Sequence, residues 1–374
     1  MTRDEEAFLR RCLDPVRGAV GHVLVADTGS TDATPRIAAE LADEVVEVAF
    51  EEDFGRARNA VLDHVRTPWA LFLDADEIFE RGEAPELVRF AADAAPDVLG
   101  VRVLRYDLLP TGGWFSGRRL KLLRVDRGVR YRGRINEDVT ASVREAGGRV
   151  ADAPVILNHY GQCRGMPVRH AKSRRYLEIL REELLEDPSD GIRVAYVAMH
   201  LRNLGRFDEA LREAARAVEL RPDSPKVRVF HGHVLRSAGR VAEARVAYRE
   251  ALAAGDGEPG YWSRGAIHNL LGVMDALLGD VDAAERELRT AFEADPLAVH
   301  ALINQGVLAE ARGDHAAAAA LYRRAAERNP AFLGVNASPL LEYDPVLPTL
   351  HETVSHFAGL GRHLAFCERR MSGE

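Results

Sequence analysis

The chain has 374 residues, 47% of them hydrophobic and 29% charged, with 58 acidic side chains against 50 Lys and Arg and a formal net charge of −8. That length suits two or three separate cores, and the acidic balance lacks the basic field that long nucleic acids or anionic membranes require. Cys12, Cys163 and Cys367 lie far apart without CxxC spacing, which argues against a disulfide framework or a zinc knuckle and for reduced thiols in the cytoplasm. The charged start, residues 1–6, is unlike a secretory leader, and no run of about 18 apolar residues forms a membrane span.

In chain order, residues 22–26 and 69–73 read as buried parallel strands, because each is a short continuous apolar run. Residues 31–42 between them read as a helix capped near Ser30 or Thr31. Residues 100–106, 119–125 and 155–158 add later strands. An Arg- and Leu-rich stretch, 165–186, has helical spacing and bridges this α/β region to a second domain.

From Gly205 onward the sequence repeats itself. Gly205, Gly239, Gly279 and Gly313 are each followed five residues later by Ala210, Ala244, Ala284 and Ala318, and seven residues further by Ala217, Ala251, Ala291 and Ala325. Small residues at those offsets let two helices approach closely, and the glycine suits the turn between them. Two of the three Gly-to-Gly intervals are 34 residues, the tetratricopeptide period, and residues 255–260 lengthen the middle one. Pro222, Pro296 and Pro330 end three of the units, the pattern fades over 332–348, and 350–371 reads as a capping helix. Apolar residues such as Phe207, Leu211, Val218 and Tyr322 are read as repeat core.

Three acidic clusters stand at strand ends, where open α/β sheets bind ligands. In Val25-Ala26-Asp27-Thr28-Gly29-Ser30-Thr31-Asp32 a strand runs through a glycine turn into a helix start. Asp27 there either contacts a ligand or caps the turn. In Leu71-Phe72-Leu73-Asp74-Ala75-Asp76-Glu77 two carboxylates leave an apolar strand, and strand alternation points Asp74 and Asp76 the same way. Such a pair is costly to hold close without a cation, and hard oxygen ligands suit Mg²⁺ or Mn²⁺ bridging a diphosphate.

VADTGSTD, then FGRARN at 54–59, then LFLDADE together resemble the family 2 glycosyltransferases of GT-A fold, in the branch with C-terminal tetratricopeptide repeats that includes enzymes glycosylating bacteriocin peptides on cysteine. The resemblance implies a Rossmann-like nucleotide-sugar domain at 1–165, a helical linker at 166–192, an all-α tetratricopeptide-type solenoid at 193–335 and a capping segment at 336–374. It implies Mn²⁺- or Mg²⁺-dependent inverting transfer from a nucleotide sugar, a UDP-sugar, to a peptide, natural-product or glycan acceptor; the repeats, as an extended surface, suit holding a large acceptor or a second copy of the chain in a homodimer. Residue by residue it assigns Asp27 to the nucleobase, Arg58 to the nucleotide, Asp74 to the ribose or metal and Asp76 to the metal.

The segment Ile156-Leu157-Asn158-His159-Tyr160-Gly161 is similar to one in the family's later part, which makes His159 a further metal ligand, and Arg134-Ile135-Asn136-Glu137-Asp138 resembles the one holding the base, Glu137 or Asp138. A salt bridge to Glu51, Glu52 or Asp53 is the plain alternative for Arg58. Trp114 and Phe115, on a loop after Gly112 and Gly113, stack on a sugar or seal the domain edge. Arg169, Lys172, Arg174 and Arg175 form a basic face, read as solvated rather than closing on the diphosphate. Two departures stand out: Asn136-Glu137 replaces the usual His-Glu, and family members carry an apolar strand before a segment like residues 3–6, where this chain starts. Either a start lies upstream or that strand is absent. A non-catalytic scaffold with a relic sugar-nucleotide domain is the rival reading, and a nucleotidyltransferase lacks its Gly-rich, Lys-containing loop.

Overall fold

The computed structural model describes residues 1–109, 113–255, 262–334 and 359–373. Two compact units result, Met1–Tyr106 with Arg118–Gly161, and Asp107–Gly117 with Gln162–Glu374.

The first unit opens with a short helix, α1 (Leu9–Leu13), and a strand, β1 (Leu24–Asp27), which α2 (Thr34–Leu41) carries over to a parallel β2 (Glu44–Glu47). The helix starts at Thr34, later than residue 31, because Pro35 suits a first-turn position. Ser30 and Thr31 bond elsewhere, Ser30 to Asp27 and the Thr31 amide to Asp4 at 2.7 Å. Next come α3 (Phe54–Leu62), β3 (Trp69–Leu71), β4 (Glu77–Phe79), α4 (Glu83–Ala92), β5 (Val98–Leu108), β6 (Trp114–Arg124), α5 (Thr140–Glu145) and β7 (Arg149–His159). The order in the second sheet is β3-β6-β5-β7-β4.

Residues 69–71 pair antiparallel with β6, from Trp69↔Arg124 to Leu71↔Leu122, which corrects the parallel expectation for this run. β4 and β2 are unanticipated: one is three residues long, and the other reads Glu-Val-Val-Glu, with too little apolar character to stand out. The antiparallel register Glu77↔His159 is what matters for function, since it sets the end of β7 beside the 74–77 turn. One sheet face packs Leu87 and Ala91 of α4 against Val101, Val103 and Leu157. The other packs Leu62, Phe72 and Leu123 with Tyr131 and Val143. With both faces covered, β5 is almost continuously buried.

In the second unit α6 (Met166–Glu186) precedes four helix pairs: α7 (Gly191–Asn203) with α8 (Phe207–Leu220), α9 (Pro225–Ser237) with α10 (Val241–Ala253), α11 (Arg264–Leu277) with α12 (Val281–Ala294), and α13 (Val299–Ala311) with α14 (His315–Arg328). Gly205, Gly239, Gly279 and Gly313 turn each pair with φ of 73°, 76°, 84° and 82°, a left-handed conformation that costs glycine little. The two alanines following each glycine are buried at the helix contacts, as the repeat pattern demands. A short α15 (Ala331–Gly334) and α16 (Leu360–Ser372) complete the unit. Only the later part of the expected capping helix, from 360, lies within the described residues, and the 255–260 insertion lies almost entirely outside them.

In two of the helix pairs a helix glycine faces a tyrosine ring that a side chain there would strike. A Cβ on Gly232 would stand 2.4 Å from the Tyr248 ring, and one on Gly306 would stand 2.4 Å from Tyr322. Both rings are wholly buried and have nowhere to retreat. Gly-to-Ala in a helix interior ordinarily stabilises by ~1 kcal/mol. Here Gly232→Ala and Gly306→Ala should instead destabilise by about 1–3 kcal/mol through overpacking, read as a lower midpoint in urea.

Candidate active site

The FGRARN stretch forms α3, and several of its groups dock the helix on the 131–137 loop. Asp53 caps the helix by accepting from the Arg56 amide at 2.7 Å. The Phe54 amide donates to the Arg134 carbonyl at 2.7 Å, and Asn59 exchanges two hydrogen bonds with the backbone of Tyr131 at 2.8 and 2.9 Å. Gly55 must lack a side chain, for a Cβ would sit 2.5 Å from the Gly133 carbonyl oxygen. So fixed, α3 aims Arg58 inward between Phe72 and Tyr131, 5.7 and 5.6 Å from their ring centres.

Buried Arg58 donates through Nε to Glu137 at 2.5 Å and through Nη2 to Asp74 at 3.0 Å. Burial alone would lower its pKa, but Asp74 and Glu137 more than offset this and hold it well above its ordinary value. The alternative partners from the 51–53 run are otherwise engaged, Glu51 with Arg56 at 2.6 Å and Asp53 as the helix cap.

The strand ends at Leu71, so the alternation that aligned Asp74 with Asp76 does not extend to them. Asp74 lies in a turn between Arg58 and Lys121, whose Nζ is 3.8 Å away. Burial works to raise its pKa, yet Lys121 and Arg58 keep the carboxylate well below its usual range. Glu77, 0% exposed, is the hub of the turn. It accepts from Arg105 at 2.9 Å, from Lys121 at 2.5 Å and from the Asp74 amide at 3.0 Å. None of Glu77, Lys121 and Arg105 emerges from sequence reasoning. The available signal is Lys121, one of three lysines in an arginine-rich chain, set inside an apolar strand.

Asp76 meets His159 at the end of β7, whose Nε2 lies 3.4 Å from its Oδ1. Gly161 leaves room in front of both: a Cβ there would stand 2.5 Å from His159 Nε2 and 2.7 Å from Asp76 Oδ2. Among the described residues no group of three or more His, Cys, Asp or Glu side chains is arranged around a metal position. The mixed oxygen and nitrogen pair still fits a Mn²⁺ or Mg²⁺ ion whose remaining positions are filled by ligand oxygens and water.

Glu137 and Asp138 diverge. Glu137 enters the site, while Asp138 turns outward to accept from the Thr140 amide and hydroxyl at 3.1 and 2.7 Å. Asp27 is spent on its own turn, where its carboxylate accepts from the Ser30 hydroxyl at 2.5 Å and amide at 3.2 Å. Trp114 is corrected: it begins β6 rather than standing on a loop, is 0% exposed, and packs edge-on against Phe332 within the second unit, with no face open to a sugar. Of the basic helix face, Arg175 pairs with Glu178 and Lys172 lies over Tyr176, as a structural face would.

Residues 1–151 match the model of glycosyl transferase family 2, and residues 198–259 and 278–331 match a tetratricopeptide repeat model, with 265–290 matching another. The N-terminal region is a family 2 glycosyltransferase domain. The chain is similar to a TPR repeat-containing protein of Synechococcus elongatus, 31% identical over 210 residues, 54% of this chain and 50% of that one. It is also similar to the SPbeta prophage-derived glycosyltransferase SunS of Bacillus subtilis, 23% identical over 226 residues, 56% of this chain and 49% of that one. Over 81 residues it is 33% identical to glycosyltransferase AglJ of Haloferax volcanii, 22% of this chain and 27% of that one. The chain thus spans about half the length of the first curated relatives it matches.

The position of Glu77 in this domain makes a stability claim. Removing its carboxylate takes from Arg105 and buried Lys121 the acceptor they share, so Glu77→Ala should cost about 3–5 kcal/mol in denaturant unfolding. An unchanged midpoint would show that the two cations find other partners.

Proposed function

We propose that the chain transfers a sugar from a nucleotide sugar, a UDP-sugar, to an acceptor, with inversion at the anomeric carbon and with Mn²⁺ or Mg²⁺. The supporting observation is the turn 74–77, which holds Asp74 on Arg58 and Asp76 beside His159 while Arg58 also grips Glu137. Asp76 and His159 would hold the metal, which would supply positive charge to neutralise the leaving diphosphate. Arg58 binds the nucleotide and Asp74 accepts from a ribose hydroxyl. Asp27 completes the nucleobase side by way of the turn it stabilises.

Glu137 is the base. As the anomeric carbon leaves its phosphate oxygen and bonds to the acceptor atom, the acceptor's proton passes to the Glu137 carboxylate and the nucleoside diphosphate departs with the bonding pair. Arg58 holds Glu137 through its Nε in the free protein, and an anionic donor competing for the same guanidinium loosens that grip as the site fills. The repeats dock the acceptor, a peptide, natural product or glycan, since stacked helix pairs offer an extended surface. Three free cysteines suit the cytoplasm, and no helix of the described residues is long and apolar enough to cross a membrane. A homodimer is part of the same reading.

Two measurements separate these roles. Asp76→Asn should abolish both transfer and donor hydrolysis at unchanged circular dichroism, with EDTA reproducing the loss in the parent chain; full activity in excess EDTA would remove the metal. Glu137→Gln should lower turnover on the order of 10²–10⁴-fold with nucleotide affinity retained. Asp138→Asn, which removes only a turn cap, should change turnover little, and the reverse ranking would move the base to Asp138.

A further inference from the structure

The stacked helices of the second unit hold a buried cation that the repeat pattern does not call for. Three residues before the turn glycines Gly205, Gly239, Gly279 and Gly313 stand Arg202, Arg236, Ala276 and Glu310. Alanine in the third pair shows that packing at this position needs no charge. Arg202, near the end of α7, is 6% exposed, and Arg236, at the same place in α9, is 7% exposed.

The surroundings of Arg202 leave its charge unanswered. Its Nη2 donates to the Asn203 side-chain oxygen at 2.8 Å, while its Nε is buried without an acceptor. Among the described residues no carboxylate acts on it. Glu310 and Asp275 in the later pairs, by contrast, are answered by His363 at 2.8 Å and Arg245 at 2.9 Å. Burial, the largest influence, pushes the pKa of Arg202 down to about 10; Arg169 of α6 and Arg236 add to the fall, and only the Tyr248 hydroxyl opposes it.

The neighbouring imidazoles bring no relief. His233 shares a hydrogen bond with the Tyr248 hydroxyl at 2.9 Å and is held well below its ordinary pKa by burial, with Arg202 and Arg236 close by. Burial also pushes His200 down to about 3, with Lys172 and Arg202 adding to it. Both rings stay neutral near pH 7, so Arg202 carries into the helix stack a charge that a buried group ordinarily shares with a partner.

We propose that Arg202 is the seat for one carboxylate of an acidic residue in a peptide laid along α7 and α9. Charge specifies the ligand: a single carboxylate matches a single uncompensated guanidinium in sign, in magnitude and in planar shape. The part of Arg202 left exposed is where the carboxylate enters. The proposal rests on the reading that the repeats dock a peptide acceptor, and it adds which kind of side chain is gripped and where.

The full chain is titrated with acetyl-Ala-Ala-Glu-Ala-Ala-amide and with the same peptide carrying Gln in place of Glu. The Glu peptide should bind about tenfold more tightly, as a charge-assisted bond to a buried donor does, and the difference should vanish in Arg202→Met. Without peptide, Arg202→Met should melt about 3 °C or more above the parent chain, because methionine fills the space and removes the unpaired buried charge. A guanidinium serving the fold alone would give the opposite shift. Equal affinity for the two peptides, a Glu preference that survives in Arg202→Met, or a lower melting temperature for that variant would overturn the proposal. Inorganic phosphate that binds more tightly than the Glu peptide, and only when Arg202 is present, would overturn the carboxylate as occupant. Peptide binding that depends on Arg202 while sugar transfer is indifferent to Arg202→Met would keep the site and remove the acceptor-docking reading alone.

Discussion

A single buried guanidinium organises the N-terminal unit. Arg58 bonds Asp74 and Glu137, which lie 16 and 79 positions away in sequence. A buried charge is tolerable only when its partners are held in place, so three otherwise independent pieces must be fixed relative to one another: α3, the 74–77 turn and the 131–138 loop. The backbone bonds of Phe54 and Asn59, and the bare Cα of Gly55 against Gly133, serve that end. FGRARN is thus a docking surface for a loop as much as a carrier of one functional arginine.

Behind this pair lies a second layer of charge. Asp74, Glu77 and Glu137 pair with Arg58, Arg105 and Lys121, so each of these carboxylates is held by at least one cation. Glu77 serves the arrangement indirectly, since it holds the Asp74 amide and so fixes the turn that carries Asp74 and Asp76.

What the sequence revealed divides along the range of the forces involved. The repeat helices were legible because their constraints are local and periodic: a left-handed glycine, then two small residues where helices touch. Asp74, Asp76, Arg58, Glu137 and His159 were legible through motif resemblance, and the structure brings them to one place. Their partners were not. Strand alternation failed for Asp74 and Asp76 because the strand stops at Leu71, and the pairing of Arg58 with Glu137 depends on a loop with no pattern of its own. Glu77 and Lys121 were hidden because a charge buried in the middle of apolar runs is explained only by a partner far along the chain. Trp114 was misplaced for a related reason, since an aromatic after glycines resembles a loop residue until its strand and its neighbour Phe332 are known.

The split sheet carries the same lesson in reverse. Residues 22–26 and 69–73 contain the continuous apolar runs expected of strands covered on both faces in the interior of a sheet, not of strands at its edge. In the structure each run borders an apolar groove and pairs along its length on one side only. An edge strand is ordinarily shortened, charged or twisted to blunt its free backbone, and the side chains of Leu24 to Ala26 and Trp69 to Leu71 bring neither charge nor proline to that edge. The side chains of β1 and β3 thus give these two edges an apolar lining, and both border the same apolar space.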